Sequence, residues 1–145
     1  MKKEKQTPLI FFNASVIIAG LISPSGGSGR LLRDAEEKQV TGVISEIILD
    51  EVLRHWDKIG KSKSRIEQTV KRIFPKMHPI PKETTIEKYN GKTLDLGDAH
   101  VLASSDDSRC DYLVTLDKKH LLAIAGKIKK FKIVSPGQLI SLLLL

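Results

Sequence analysis

Cysteine is almost missing: Cys110 is the only one in 145 residues. That excludes an intramolecular disulfide and a zinc cage built from cysteines. Aromatic residues make up 5%, too few for base stacking to dominate recognition of a nucleic acid. Apolar runs such as Val16-Ile17-Ile18-Ala19 and Leu142 to Leu145 fall far short of the roughly 18–20 residues that cross a bilayer. The basic start, Met1-Lys2-Lys3-Glu4-Lys5, leads through Gln6-Thr7-Pro8 into a strand-like segment and not into a signal-peptide core, so the expected compartment is the cytoplasm, with no membrane partner. The glycine-rich stretch Gly26-Gly27-Ser28-Gly29-Arg30 lacks both the spacing and the Lys-Ser/Thr pair of a phosphate-binding loop.

What the chain does have is charge, unevenly placed. Lys and Arg number 24 against 17 Asp and Glu, for a net +7, and 41% hydrophobic content suffices for one core. We expect a basic tail over residues 1–8 and a single domain over 9–145. Arg54 to Lys76 holds eight bases and two acids, and Lys118 to Lys132 holds six lysines and no acid. Between them, Asp95 to Asp117 holds six aspartates and one arginine, Arg109. Such blocks can be solvated helix faces. They can also be a phosphate-binding rim around a carboxylate cluster that holds a divalent cation.

Strand-like and helix-like segments alternate. Leu9 to Phe12 reads as a buried parallel strand and Val16 to Ile22 as a first helix. Ser23 to Gly29 reads as a loop, followed by a helix near Arg30 to Lys38 and a strand over Val40 to Ile44. Ser45 can cap a helix whose apolar stripe is Ile48, Leu49, Val52, Leu53 and Trp56, with Trp56 expected to pack. Gly60-Lys61-Ser62 separates it from a basic amphipathic helix carrying Ile66, Val70 and Ile73. Met77 to Lys92 is poorly periodic and reads as a short edge strand and a long loop. A helix over about Gly97 to Ser105, the strand Tyr112 to Thr115, a helical turn near Leu121, the strand Phe131 to Val134 and a helix opening at Ser135-Pro136 follow. Repeated βα units predict an α/β fold, a three-layer α/β/α sandwich with a central parallel sheet. Sites in such folds form beyond the carboxyl ends of the strands, at the topological switch point.

Four residues fall near such ends: Asn13, Glu51, Asp98 and Asp117. Asp95 can be read as an N-cap and Asp98 as answering the helix dipole. Glu51 borders the buried stripe, where a carboxylate is costly unless a cation or donor meets it, whereas Glu46, Asp50 and Asp57 lie on the solvated face. Asp117 can be turn chemistry. His55, His78, His100 and His120 show no ligand spacing, His100 reading as helix surface or partial core. Cys110 has no neighbour pointing to a nucleophile and reads as a small buried residue.

Several motifs resemble those of PIN domains, Mg²⁺/Mn²⁺-dependent ribonucleases that include many toxins of prokaryotic toxin–antitoxin pairs. They are Phe12-Asn13-Ala14-Ser15-Val16-Ile17, Ser23-Pro24-Ser25-Gly26-Gly27, Ser45 to Val52, Leu94-Asp95-Leu96-Gly97-Asp98-Ala99-His100 and Asp111 to Asp117. The resemblance spans Phe11 to about Leu143, and its most specific part is the last pair of motifs. It implies a metal-dependent endoribonuclease that hydrolyses RNA phosphodiester bonds, acting as a toxin. Glu51, Asp98 and Asp117 would be catalytic, and Asn13, Glu51, Asp95, Asp98 and Asp117 would hold Mg²⁺ or Mn²⁺, with Thr115 as an accessory residue. Lys61, Lys63, Arg65, Lys118 and Lys119 would hold the RNA backbone. The implied partners are RNA and an antitoxin protein, and the apolar Leu142 to Leu145 end suggests a homodimer. Asn13 stands where the family has its first aspartate. Its amide oxygen can ligate a hard cation, but one negative charge is missing, which implies weaker metal binding or a need for Mn²⁺ in place of Mg²⁺. The alternatives are a PIN-fold RNA- or antitoxin-binding module weakened in catalysis by Asn13, and a general basic α/β domain with incidental acids.

Overall fold

The computed structural model describes residues 7–92 and 96–143. Five strands, β1 (Leu9–Phe12), β2 (Thr41–Ser45), β3 (Met77–His78), β4 (Tyr112–Val114) and β5 (Lys132–Val134), form one sheet in the order β3-β2-β1-β4-β5. Every pairing is parallel. The helices are α1 (Ala14–Ile22), α2 (Gly27–Glu36), α3 (Glu46–Arg54), α4 (Trp56–Ile59), α5 (Lys63–Ile73), α6 (Glu83–Asn90), α7 (Leu96–Asp107) and α8 (Pro136–Leu143), with a 3-10 helix over Leu122–Lys127. They sandwich the sheet: α1, α2, α3, α5 and α8 pack among themselves, and α6 packs on α7. The three-layer parallel architecture expected from the alternating pattern is the one found.

The central strand shows why. Ile10, Phe11 and Phe12 have no exposed surface, as a strand covered on both faces requires. The Phe12 ring meets Phe74 edge-on, with centroids 4.9 Å apart. Phe74 lies across Gly42 of β2, where a Cβ would come within 2.7 Å of its ring.

Three local expectations are corrected. Gly27, Ser28 and Gly29 are not loop but the first turn of α2. A Cβ on Gly29 would stand 2.1 Å from the Pro24 carbonyl oxygen, and one on Gly20 of α1 would stand 2.5 Å from Leu32. Gly20 therefore lets α1 and α2 approach closely, Gly29 lets the turn at Pro24 fold against α2, and that packing overrides poor helix propensity. Trp56 does not continue the stripe of α3. That helix ends at Arg54, and Trp56 opens α4 with 45% of its surface exposed. The long loop expected up to Lys92 contains α6, although β3 is the short edge strand foreseen. The cap of α6 is not local: Asp107 accepts from the Lys82 amide and the Thr85 hydroxyl, each at 2.8 Å.

Candidate metal centre

β2 and β3 lie on one side of β1, and β4 and β5 on the other. The switch point is therefore the crevice beyond the carboxyl ends of β1 and β4. Asn13, the residue after β1, is tied across this crevice. Its amide N–H donates to the Val114 carbonyl at 3.0 Å, its Oδ1 accepts from the Ala14 N–H at 2.9 Å as the N-cap of α1, and its Nδ2 donates to Thr115 Oγ1 at 2.8 Å. Thr115 is fully buried, and its Oγ1 also accepts from the Asp117 N–H at 3.1 Å. Ser15 Oγ accepts from the Leu116 N–H at 3.1 Å. The backbone leaving β4 is thus pinned to the first turn of α1, and the position of Asp117 follows from that.

Asp98 lies in the first turn of α7, where the helix dipole favours a negative charge. Asp117 lies beyond β4, with Oδ1 accepting from the His120 N–H at 3.0 Å. The His120 ring stands between the two acids: Nδ1 is 3.5 Å from Asp117 Oδ2 and 4.0 Å from Asp98 Oδ2. Donor atoms of Asp98, Asp117 and His120 all lie within 4.8 Å of one another. The acid side chains are 17% and 24% exposed, against 43% for His120, so the group is sheltered at its base and open at its mouth. Two bonds of roughly 2.1 Å span at most about 4.2 Å. The separations of 3.5 and 4.0 Å therefore allow a single divalent cation to join His120 to either acid, and two carboxylates with an imidazole suit such an ion.

The residues singled out from sequence are distributed as follows. Asp98 and Asp117 come together, with Asn13 and Thr115 linked at their base. Glu51 is half-buried on α3 while Glu46, Asp50 and Asp57 are exposed, and it is not part of the group around His120. Asp95 lies outside the described residues. Lys118 and Lys119 are exposed in the turn between Asp117 and His120, while Lys61, Lys63 and Arg65 are exposed at the turn from α4 into α5. The residue sequence reading passed over is His120. The signal that could have found it is Asp117-Lys118-Lys119-His120 itself, an acid and an imidazole three apart in a turn. His100 is half-buried on α7.

The acidic island is divided. Asp106 and Asp107 close α7 and Asp111 precedes β4, at the amino end of the sheet, where Asp111 Oδ2 accepts from the Leu9 N–H at 2.8 Å. Asp106 accepts from Tyr89 OH at 2.8 Å and Lys88 Nζ at 3.0 Å, with Lys130 Nζ at 3.4 Å. Burial works to raise the Asp106 carboxyl, but the hydrogen bonds from Lys88 and Tyr89 outweigh it and hold the group below the ordinary carboxylate range. Burial likewise drives the Tyr89 hydroxyl well above its ordinary value. Beside this cluster a cavity of about 510 Å³ is lined by Lys82, Asp106, Arg109 and Lys130. Cys110 also borders it, but burial pushes its thiol up to about 12, so it is the inert small residue expected.

The family model described as PIN domain matches residues 10–119. No curated protein is matched in sequence. Among solved structures the chain is similar to VapBC2 from Rickettsia felis, a crystal structure bound to a DNA fragment from its promoter. The identity is 14% and the TM-score 0.58, with 88% of this chain and 98% of that chain covered. At that identity the likeness is one of fold. Among the described residues, no helix is long and apolar enough to cross a membrane.

Proposed function

The chain belongs to the PIN domain family, and on that premise we propose that it is a metal-dependent endoribonuclease, the toxin of a toxin–antitoxin pair. The observation that carries this reading is the convergence of Asp98 and Asp117 at the switch point, within 4.8 Å of each other. A bound Mg²⁺ or Mn²⁺ would supply a water of lowered pKa and offset charge developing on the phosphoryl oxygens. Asp98 and Asp117 hold the ion, with Glu51 and Asp95 as further carboxylates and the Asn13 amide oxygen as a neutral donor. Thr115 acts through Asp117, whose N–H it accepts. Lys118 and Lys119, with Lys61, Lys63 and Arg65, hold the RNA backbone without reading sequence. The toxin role, with an antitoxin as partner, draws its support from membership of the PIN domain family, which includes many toxins of toxin–antitoxin pairs. Leu142, 52% exposed on α8, is the surface offered for a homodimer.

A second reading has its own support. Asn13 spends its amide on both sides, capping Ala14 and donating to Thr115, and brings no charge. On that basis the chain is a PIN-fold module that binds RNA or an antitoxin with little catalysis. RNA cleavage in Mn²⁺ and Mg²⁺ separates the readings, comparing the chain as it stands with Asn13→Asp and Asp98→Asn. The ribonuclease reading expects cleavage that Asn13→Asp increases and Asp98→Asn abolishes. An inert chain that Asn13→Asp activates establishes the binding module. If neither substitution changes anything, the metal site is misassigned.

A further inference from the structure

We propose that His120 is itself a metal ligand, through Nδ1, and that the resulting set of two carboxylates and one imidazole selects a transition ion over Mg²⁺. This deepens the reading above and rests on its acidic site. The geometry comes first. The ring nitrogen lies 3.5 Å from Asp117 Oδ2 and 4.0 Å from Asp98 Oδ2, both within the span of two coordination bonds. The main chain that carries the ring is itself anchored at the site, because the His120 N–H donates to the other Asp117 oxygen at 3.0 Å. That bond leaves Asp117 Oδ2 as the oxygen facing the ring.

The donor inventory points the same way. At the base of the site, Asn13 contributes an uncharged oxygen already engaged by the Ala14 N–H. What the chain adds at the mouth is an imidazole. Mg²⁺ dehydrates reluctantly and takes oxygen donors. Imidazole suits later ions, and affinity for a nitrogen-containing site rises from Mn²⁺ through Co²⁺ towards Zn²⁺. Replacing an anionic oxygen by a ring nitrogen therefore moves the site away from Mg²⁺ and towards Co²⁺ and Zn²⁺, with Mn²⁺ between. The competing role for His120 is that of an imidazolium counter-ion resting between two carboxylates. It makes the opposite prediction, since removing a counter-ion frees the acids for any cation.

The test is metal binding by the whole chain, without RNA. Co²⁺ would be followed by its visible absorption, Mn²⁺ by the resonance of the free ion and Mg²⁺ by calorimetry. The expected result is tighter binding of Co²⁺ than of Mg²⁺ by at least roughly tenfold. His120→Ala should weaken Co²⁺ by about 10–100-fold, alter its absorption bands, and leave Mg²⁺ changed by less than about threefold. His120 is 43% exposed and its main-chain bond survives the substitution, so unfolding does not confound the measurement. Equal losses for Co²⁺ and Mg²⁺, no change, or tighter binding in His120→Ala would each overturn the proposal. If Asp117→Asn abolishes binding of every ion while His120→Ala does not, ligation by His120 falls and the acidic site stands. If Asp98→Asn and Asp117→Asn leave Co²⁺ binding intact, the acidic site falls as well.

Discussion

The two ends of the sheet each gather aspartates, yet they arrange them differently. At the amino end, Asp106, Asp107 and Asp111 are answered by donors built into the chain: Lys88, Tyr89 and Lys130 for the first, the Lys82 amide and Thr85 for the second, and the Leu9 amide for the third. At the carboxyl end, Asp98 and Asp117 converge on each other across a partly exposed histidine. Helix α7 runs between the two ends, carrying Asp98 in its first turn and Asp106 and Asp107 in its last. At 1.5 Å per residue its charged termini stand about 13 Å apart. The contrast teaches that a run of acids in one sequence window is not one site. Acids that accept from distant donors tie elements together, and acids brought face to face can serve a cation.

The contrast breaks most visibly under paired substitutions. Asp98→Asn and Asp117→Asn should each lower RNA cleavage by at least about 10²-fold while leaving the melting temperature unchanged or slightly higher, because like charges are relieved. A fall of several degrees with cleavage intact would reverse the roles assigned to the two ends. Asp107→Ala should cost about 2 kcal/mol in urea unfolding, the sum of a lost helix cap and an unanswered hydroxyl, with cleavage per folded molecule unchanged.

Asp106→Asn sharpens the comparison through pH. The folded carboxyl titrates below its ordinary value of 3.8, so its contribution is complete above that value and is lost as pH falls through the folded one. The stability gap between the chain and Asp106→Asn, about 1 kcal/mol at neutral pH, should stay constant down to about pH 5 and close below about pH 4. Melting curves across that range would show it, and a gap that widens in acid would refute the assignment. The smallest effect is expected from single lysines. Lys118→Ala or Lys119→Ala, beside the site, should each reduce the log–log salt slope of RNA binding by about 0.7. Lys88→Ala, at the other end and paired with Asp106, should leave it unchanged.

Much of this was legible in the residues. The apolar run Leu9 to Phe12, the cap at Ser45 and the solvated face of Glu46 and Asp50 are local patterns, and local patterns survive folding. What was hidden depends on distance in the chain. Helix α6 is tied at its start by Asp107, 25 residues beyond Lys82, so its own sequence offers no capping side chain at Lys82. Gly29 looked like a loop residue because its reason for being glycine is the Pro24 carbonyl. Asp98 and Asp117 could be named as site residues; for His120 the chain offers only its spacing of three from Asp117, and the fold alone sets its ring against both acids. The acidic island misled for the same reason: spacing along the chain does not show that α7 carries its two ends to opposite edges of the sheet.

The central place of β1 has a consequence for the order of events during synthesis. Its residues pair with β2 on one side and with β4 on the other, Ile10 meeting both Gly42 and Tyr112. The Asn13–Thr115 bond joins residues 102 apart. β1 gains its second neighbour only once residues 112–114 have been made, a non-local closure that slows folding. The cluster of Asp98, Asp117 and His120 forms later still, once residue 120 has emerged. A nascent chain can thus build the β1–β2 half of the sheet and its helices while the group that would hold the metal does not yet exist. The activity proposed for this site would be kept silent by topology until residue 120 has been made.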